Sequence, residues 1–251
     1  MGTFDPNWKF DGDAVLLGDK SGSMDEPVGG KSSQPNRKRW AAMEESFLAI
    51  AGELCERDDD GITVGFFSDS SSDRKLIDHV LADQVEPLFK KYGPYGSTYL
   101  ASTLQAAIDL FVPEKVLEEP IYKKVEERSG GFLGIGGTVT KVTKQVGVKK
   151  TIVKQNPVRP VFIAIFTDGA AGDGDAIVNV IVNATKRITD RSHLGILFVQ
   201  VGDDPNATRF LDKLNNDLGD SGAEHDIVAV VKLEDLEDDS PDQTIFRAFS
   251  E

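Results

Sequence analysis

Asp13-Ala14-Val15-Leu16-Leu17-Gly18-Asp19-Lys20-Ser21-Gly22-Ser23-Met24 is the stretch on which the fold turns. Its apolar run, Ala14 to Leu17, reads as a buried strand. An amphipathic helix starts near Pro35–Arg37, so Asp19 to Ser23 occupy the loop leaving that strand. In an extended loop alternate side chains point the same way. Asp19, Ser21 and Ser23 can therefore converge on one point, with Gly22 letting the backbone bend around it. Oxygen-only ligands suit a hard cation, Mg²⁺ or Mn²⁺, rather than zinc or copper. Two hydroxyls bring no charge, so such an ion stays electron-poor and can accept an anionic oxygen from elsewhere. Taken alone, these residues are more often ordinary loop chemistry.

The composition is that of a globular chain of 251 residues, 39% hydrophobic and 28% charged, long enough for one large α/β domain with an insertion. No apolar run approaches a membrane span. Met1 to Asp13 has neither a basic start nor an apolar core and does not read as a secretory signal. The single cysteine, Cys55, lies in a helical stretch and reads as a core residue, which favours a reducing cytoplasm. A net charge of −14 argues against nucleic acid as the main partner. The charge is uneven: Arg128 to Arg159 holds seven Lys/Arg and no acid, a net of +7, leaving −21 for the rest. The histidines His79, His193 and His225 are scattered, and no Cys/His spacing suggests zinc.

Outward from the first strand, elements alternate. A helix over 37–56 places Trp40, Met43, Phe47, Ile50 and Leu54 on one face. Asp58-Asp59-Asp60-Gly61 reads as a turn without the spacing of a calcium loop. Ile62 to Phe67 is a strand, Ser68 to Asp73 a polar loop, 75–80 a short edge strand and 83–92 a short helix. Gly93-Pro94-Tyr95-Gly96-Ser97-Thr98 is a rigid turn delivering Thr98 to a helix that carries Leu100, Leu104, Ala107, Ile108 and Phe111. Val161 to Phe166 is a central parallel strand closed by Asp168-Gly169. A helix over 174–189, a strand over 194–201, a helix over 206–218, a strand over 226–231, an acidic stretch over 234–239 and a final short helix complete the chain.

Residues 114–159 break the alternation and read as an insertion. A mixed-charge segment is followed by the glycine run 130–137, which lacks the context of a phosphate loop. Thr138 to Val153 alternates β-formers about Gly147, suggesting a basic hairpin arm.

Strands alternating with helices call for an α/β, doubly wound, mostly parallel sheet with helices on both faces. Ligands in such sheets bind at the carboxyl ends of the strands, where strand order reverses. With a Rossmann-like order the first and fourth strands are neighbours there. Asp19 ends the first, Asp168 ends the fourth, and Thr98 opens a helix at the same edge. Three separate segments thus place Asp19, Ser21, Ser23, Thr98 and Asp168 around one ion.

That arrangement resembles the von Willebrand factor A-type domain and its metal-ion-dependent adhesion site. The family pattern is D-x-S-x-S after the first strand, a Thr in a later Gly-containing loop, and an Asp in a T-D-G turn. This chain offers Asp19-Lys20-Ser21-Gly22-Ser23, Gly96-Ser97-Thr98 and Thr167-Asp168-Gly169. The resemblance covers roughly 13–112 and 160–231. The segments Phe198-Val199-Gln200-Val201-Gly202-Asp203-Asp204, Phe210-Leu211 and Asp226-Ile227-Val228 are similar to those of intracellular bacterial members associated with tellurium resistance and stress responses. The resemblance implies that Ser21 and Ser23 ligate Mg²⁺ directly, with Mn²⁺ or Ca²⁺ as alternatives. It implies that Thr98 joins or leaves with conformational state, and that Asp19 and Asp168 supply charge, partly through waters. The implied function is non-enzymatic: a Mg²⁺-dependent protein-interaction module whose partner supplies a Glu or Asp to the ion.

Two other functions compete. A metal-assisted hydrolase or phosphatase would use the ion to polarise a phosphoryl oxygen; against it, no His or Cys nucleophile is near, and Lys20 is the only basic residue at the motif. A scaffold or self-assembling subunit would use the 128–159 arm, expected opposite the metal, to reach an acidic surface.

Overall fold

The computed structural model describes residues 3–29, 34–56, 60–69, 76–129, 138–169, 171–236 and 239–250. Asp58 and Asp59 of the expected turn, Ser70 to Asp73 of the polar loop, the glycine run 130–137, and Glu237 and Asp238 of the acidic stretch lie outside these residues. The strands are β1 (Asp13–Asp19), β2 (Ile62–Phe67), β3 (Leu76–Val80), β4 (Val116–Ser129), β5 (Thr138–Ile152), β6 (Val161–Thr167), β7 (Leu194–Gln200) and β8 (Val228–Lys232). The helices are α1 (Arg39–Cys55), α2 (Ala82–Lys91), α3 (Ala101–Phe111), α4 (Gly174–Thr185), α5 (Pro205–Asn216) and α6 (Pro241–Ser250). Two compact units result: residues 1–113 with 155–251, and residues 114–154.

The larger unit is built on a six-stranded sheet in the order β3-β2-β1-β6-β7-β8. Every pairing is parallel except β2 with β3. β1 and β6 carry continuous apolar runs because both their faces are covered. Alternate residues serve opposite layers. Leu16, Phe162, Ala164 and Phe166 pack with Met43, Phe47 and Ile50 of α1, Val85 and Phe89 of α2, and Ile245 of α6. Val15, Leu17, Ile163 and Ile165 pack with Leu104 and Ile108 of α3, Ile177 and Ile181 of α4, and Leu211 and Leu214 of α5. Each Val, Leu, Ile, Phe or Met among them is worth roughly 1.5–3 kcal/mol when fully buried. Gly18 permits close approach of α1, since a Cβ there would lie 3.1 Å from the Met43 sulfur and 3.0 Å from Phe66.

Strand order reverses between β1 and β6, whose register pairs Gly18 with Phe166. The next residues, Asp19 and Thr167-Asp168, thus emerge side by side at the carboxyl edge. The first residues of the chain pack more than a free tail would. Trp8 meets Phe246 edge-on at 5.3 Å, and Phe10 stacks on Phe249 at 5.7 Å.

The smaller unit corrects the expected hairpin. Its two strands are β4 and β5, antiparallel, so the mixed-charge stretch from Val116 is the first strand rather than a lead-in. Gly147 is not the turn. It lies within β5 opposite Ile121, where register slips so that Tyr122 faces Gln145 and Val146 is the extra residue. Nor is the ribbon uniformly basic: Glu118 pairs with Lys150 at 2.9 Å, Glu126 with Lys141 at 3.6 Å, and Glu127 with Lys144.

Candidate metal centre

The loop after β1 is turned, not extended as the sequence suggested. Asp19 Oδ1 accepts the Ser21 N–H at 2.8 Å, which bends the chain, and Gly22–Asp25 forms a 3₁₀ turn closed by Met24 N–H to Ser21 O at 3.1 Å. The turn still gathers the hydroxyls: Ser21 Oγ and Ser23 Oγ are 3.2 Å apart. Ser23 Oγ donates to Asp168 Oδ1 at 2.9 Å, joining loops 145 residues apart in sequence. Asp19 Oδ2 accepts from Thr167 Oγ1 at 2.8 Å, a contact with no counterpart in the sequence reading. Asp19, Ser21, Ser23 and Asp168 are therefore one cluster, and Asp19, Ser21 and Asp168 are buried.

Thr98 is brought to the same edge by its backbone. Gly22 N–H donates to Gly96 O at 3.0 Å, Gly172 N–H to Thr98 O at 2.8 Å, and Tyr99 N–H to Ser68 O at 2.9 Å. Gly96 takes φ +86°, and a Cβ there would strike Ser68 Oγ and Asp69, so the tight turn requires glycine. Asp173 fixes the next step, accepting from Leu100 N–H at 3.1 Å and Ala101 N–H at 2.8 Å. It stands at the start of α4 yet caps α3, which sequence spacing gives no means to see. Among the described residues, no hydrogen bond joins the Thr98 hydroxyl to the other four.

Lys20 is not the only cation at the motif, which corrects the sequence reading. Arg39, the first residue of α1, donates from Nη1 to Asp168 Oδ2 at 2.7 Å. Its side chain is 11% exposed and that of Asp168 fully buried. The same nitrogen lies 3.3 Å from Ser23 O and 3.4 Å from Glu26. Arg39 Nε is buried without a hydrogen-bond partner among the described residues. Gly202, at φ +94°, lies against it; a Cβ there would sit 2.9 Å from Nε. Arg39 stands 129 residues from Asp168, at the start of a helix whose visible signal is its apolar face, so nothing local flagged it.

The charges are unbalanced. Arg39 offsets Asp168, while Asp19 accepts from the neutral groups of Ser21 and Thr167 and makes no ion pair among the described residues. Burial raises the Asp19 carboxyl from 3.8 to about 6, and the Asp168 charge pushes the same way, against the hydrogen bonds from Ser21 and Thr167. Burial also raises Asp168, against the pull of Arg39 and Ser23. Among the described residues no group of three or more His, Cys, Asp or Glu side chains is gathered to hold a metal. An ion here would depend on two carboxylates and the serine hydroxyls. That all-oxygen set, with one buried carboxylate lacking a counter-charge, fits a hard divalent cation.

No family model and no curated protein matches the chain. Among solved structures it is similar to a single-residue mutant of the PilB minor pilin from Streptococcus sanguinis, at 13% identity and TM-score 0.48, over 92% of this chain and 61% of that one. It is similar to the unmutated pilin at 13% and 0.45, over 92% and 60%. It is also similar to proximal thread matrix protein 1 from the mussel byssus, at 13% and 0.44, over 90% and 46%. The chain thus spans less than two thirds of each of these proteins. Likeness of this degree does not extend to function. Among the described residues no helix is long and apolar enough to cross a membrane.

Proposed function

We propose that the larger unit is a von Willebrand factor A-type domain, Rossmann-like in topology, and that its β1/β6 edge is a Mg²⁺-dependent adhesion site. The observation that carries this is the hydrogen bond from Ser23 to Asp168, which closes two distant loops into one oxygen cluster around an uncompensated Asp19. Ser21 and Ser23 would hold the ion through their hydroxyls. Asp19 and Asp168 would supply charge, and Thr98 would join from its braced loop. When bound, Mg²⁺ supplies a positive centre that an incoming carboxylate can meet. Arg39 orients Asp168 and removes half of the site's negative charge, leaving the ion under-neutralised and receptive to a partner's Glu or Asp.

A binding role, rather than hydrolysis, is supported by where the nucleophiles and bases lie. His193 precedes β7 and His225 precedes β8, while His79 Nδ1 is 3.0 Å from Asp60 O ahead of β2. All three are at the amino-terminal edge of the parallel strands, opposite Asp168. Cys55 is at the far end of α1, its thiol 3.8 Å from Val80 O. A cytoplasmic stress-response complex is the setting that the resemblance to tellurium-resistance proteins suggests. The test is calorimetric: Mg²⁺ titrated into metal-free protein, then a Glu-containing peptide into the loaded protein, should each show saturable heat. Binding of the peptide with equal strength in a chelator would refute the role of the ion.

A further inference from the structure

The smaller unit, Glu114 to Lys154, is a two-stranded ribbon. Alternation along β4 puts Val116, Pro120 and Tyr122 on one face, with Val148 opposite Pro120. Leu117, Ile121 and Val125 lie on the other, with Val142 opposite Val125. Every side chain from Val116 to Glu127 is exposed, Leu117 at 52% and Tyr122 at 61%. A lone two-stranded ribbon is marginal in water unless a face is packed. Apolar side chains on both faces of such a ribbon mark a surface that something covers.

The edges and charges say how. Pro120 removes a donor from β4, and the bulge at Val146 interrupts β5 beside it, so neither edge suits addition of another strand. A partner meets a face instead. The acids Glu118, Glu126 and Glu127 are engaged by the ribbon's own lysines. The surplus is cationic: Lys123, directly opposite the Glu127-paired Lys144, and its neighbour Lys124. The unit carries nine Lys/Arg and five Glu, a net of +4, so the remainder of the chain carries −18.

We propose that the ribbon is a self-association arm that docks by a face onto the acidic larger unit of a second copy of this chain. Charge complementarity selects this occupant over nucleic acid, which a chain of net −14 repels. The apolar side chains supply contact area, and Lys123 and Lys124 supply steering that weakens with salt. The inference is independent of the metal site.

Sedimentation of the full chain over a concentration series, at low and at ~0.5 M salt, tests it. Self-association is expected at low salt, weakened at least about tenfold at high salt and in a Lys123→Glu, Lys124→Glu variant. Ile121→Ser with Tyr122→Ser should weaken it too, without much change in salt dependence. A chain lacking residues 114–154 is expected to be monomeric, with circular dichroism confirming that its larger unit is folded. A parent that stays monomeric throughout overturns the proposal. So does self-association that survives the deletion, or a ribbon that retains duplex DNA or RNA while the chain remains monomeric.

Discussion

Replacing Asp19 by Asn removes a buried negative charge while keeping the side chain's shape. The metal-free protein should then become more stable at neutral pH, not less. In the folded chain the Asp19 carboxyl is raised from 3.8 to about 6, burial being the largest cause and the Asp168 charge the next. That shift corresponds to about 3 kcal/mol at 1.36 kcal/mol per unit. Its sign follows from linkage. The folded state holds the proton more tightly than the unfolded state, so below pH 3.8 both carry it and nothing is lost. As pH rises from 3.8 through about 6, the unfolded chain gives up its proton first, and metal-free stability falls by that amount. Asn cannot ionise. Its amide oxygen can accept the Ser21 N–H, but the Thr167 hydroxyl, which donates to Asp19 Oδ2, must turn to accept or lose its bond, at about 1 kcal/mol. Urea denaturation in chelator should therefore show Asp19→Asn gaining roughly 1–3 kcal/mol on the parent at pH 7.5, with the gap closing towards pH 4. A difference between the two proteins that stays constant across this range would refute the account of Asp19 as a charge held in readiness for a cation.

Arg39→Met should lower metal-free stability by about 3 kcal/mol, because it leaves Asp168 buried without its cation. The same change should tighten Mg²⁺ binding at least about tenfold, since a positive charge beside the ion is gone; calorimetry that finds affinity unchanged would remove Arg39 from the site. Chelation should leave the far-UV circular dichroism intact, because the packing of Phe47, Phe162, Ile165 and Ile181 against the sheet does not depend on the ion. It should lower the melting temperature only by the linkage of lost binding, and collapse of the helical signal would contradict this.

Much of the larger unit was legible because its signals are local. The apolar runs at Ala14–Leu17 and Val161–Phe166, with helices of clear period between them, permit little but a parallel sheet covered on both faces. That sheet brings Asp19 and Asp168 together as soon as β1 and β6 are neighbours. The remaining parts were not legible because they depend on partners remote in sequence. Arg39 reaches Asp168 across 129 residues, and Asp173 caps a helix 72 residues before its own. Thr167, which enters the sequence pattern only as the first residue of the Thr167-Asp168-Gly169 turn, holds Asp19. In the smaller unit, the alternation about Gly147 suggests a hairpin within 138–153, whereas Gly147 sits beside a bulge in one long strand. The strand from Val116 was hidden because its apolar residues, Val116, Leu117, Ile121, Tyr122 and Val125, are broken up by adjacent charge pairs and show no period of two. Its glutamates make sense only opposite the lysines of β5.

The central claim is that Asp19, Ser21, Ser23 and Asp168, with Thr98 beside them, hold one divalent cation. Titration of metal-free protein with Mg²⁺, followed by the heat released, tests it most directly, with Asp19→Ala and Asp168→Ala titrated alongside. The account predicts one site in the parent and binding weakened at least about a hundredfold in either variant, as the loss of a charged oxygen beside a hard cation requires. Variants that bind Mg²⁺ as well as the parent, or a folded parent that binds none, would contradict it.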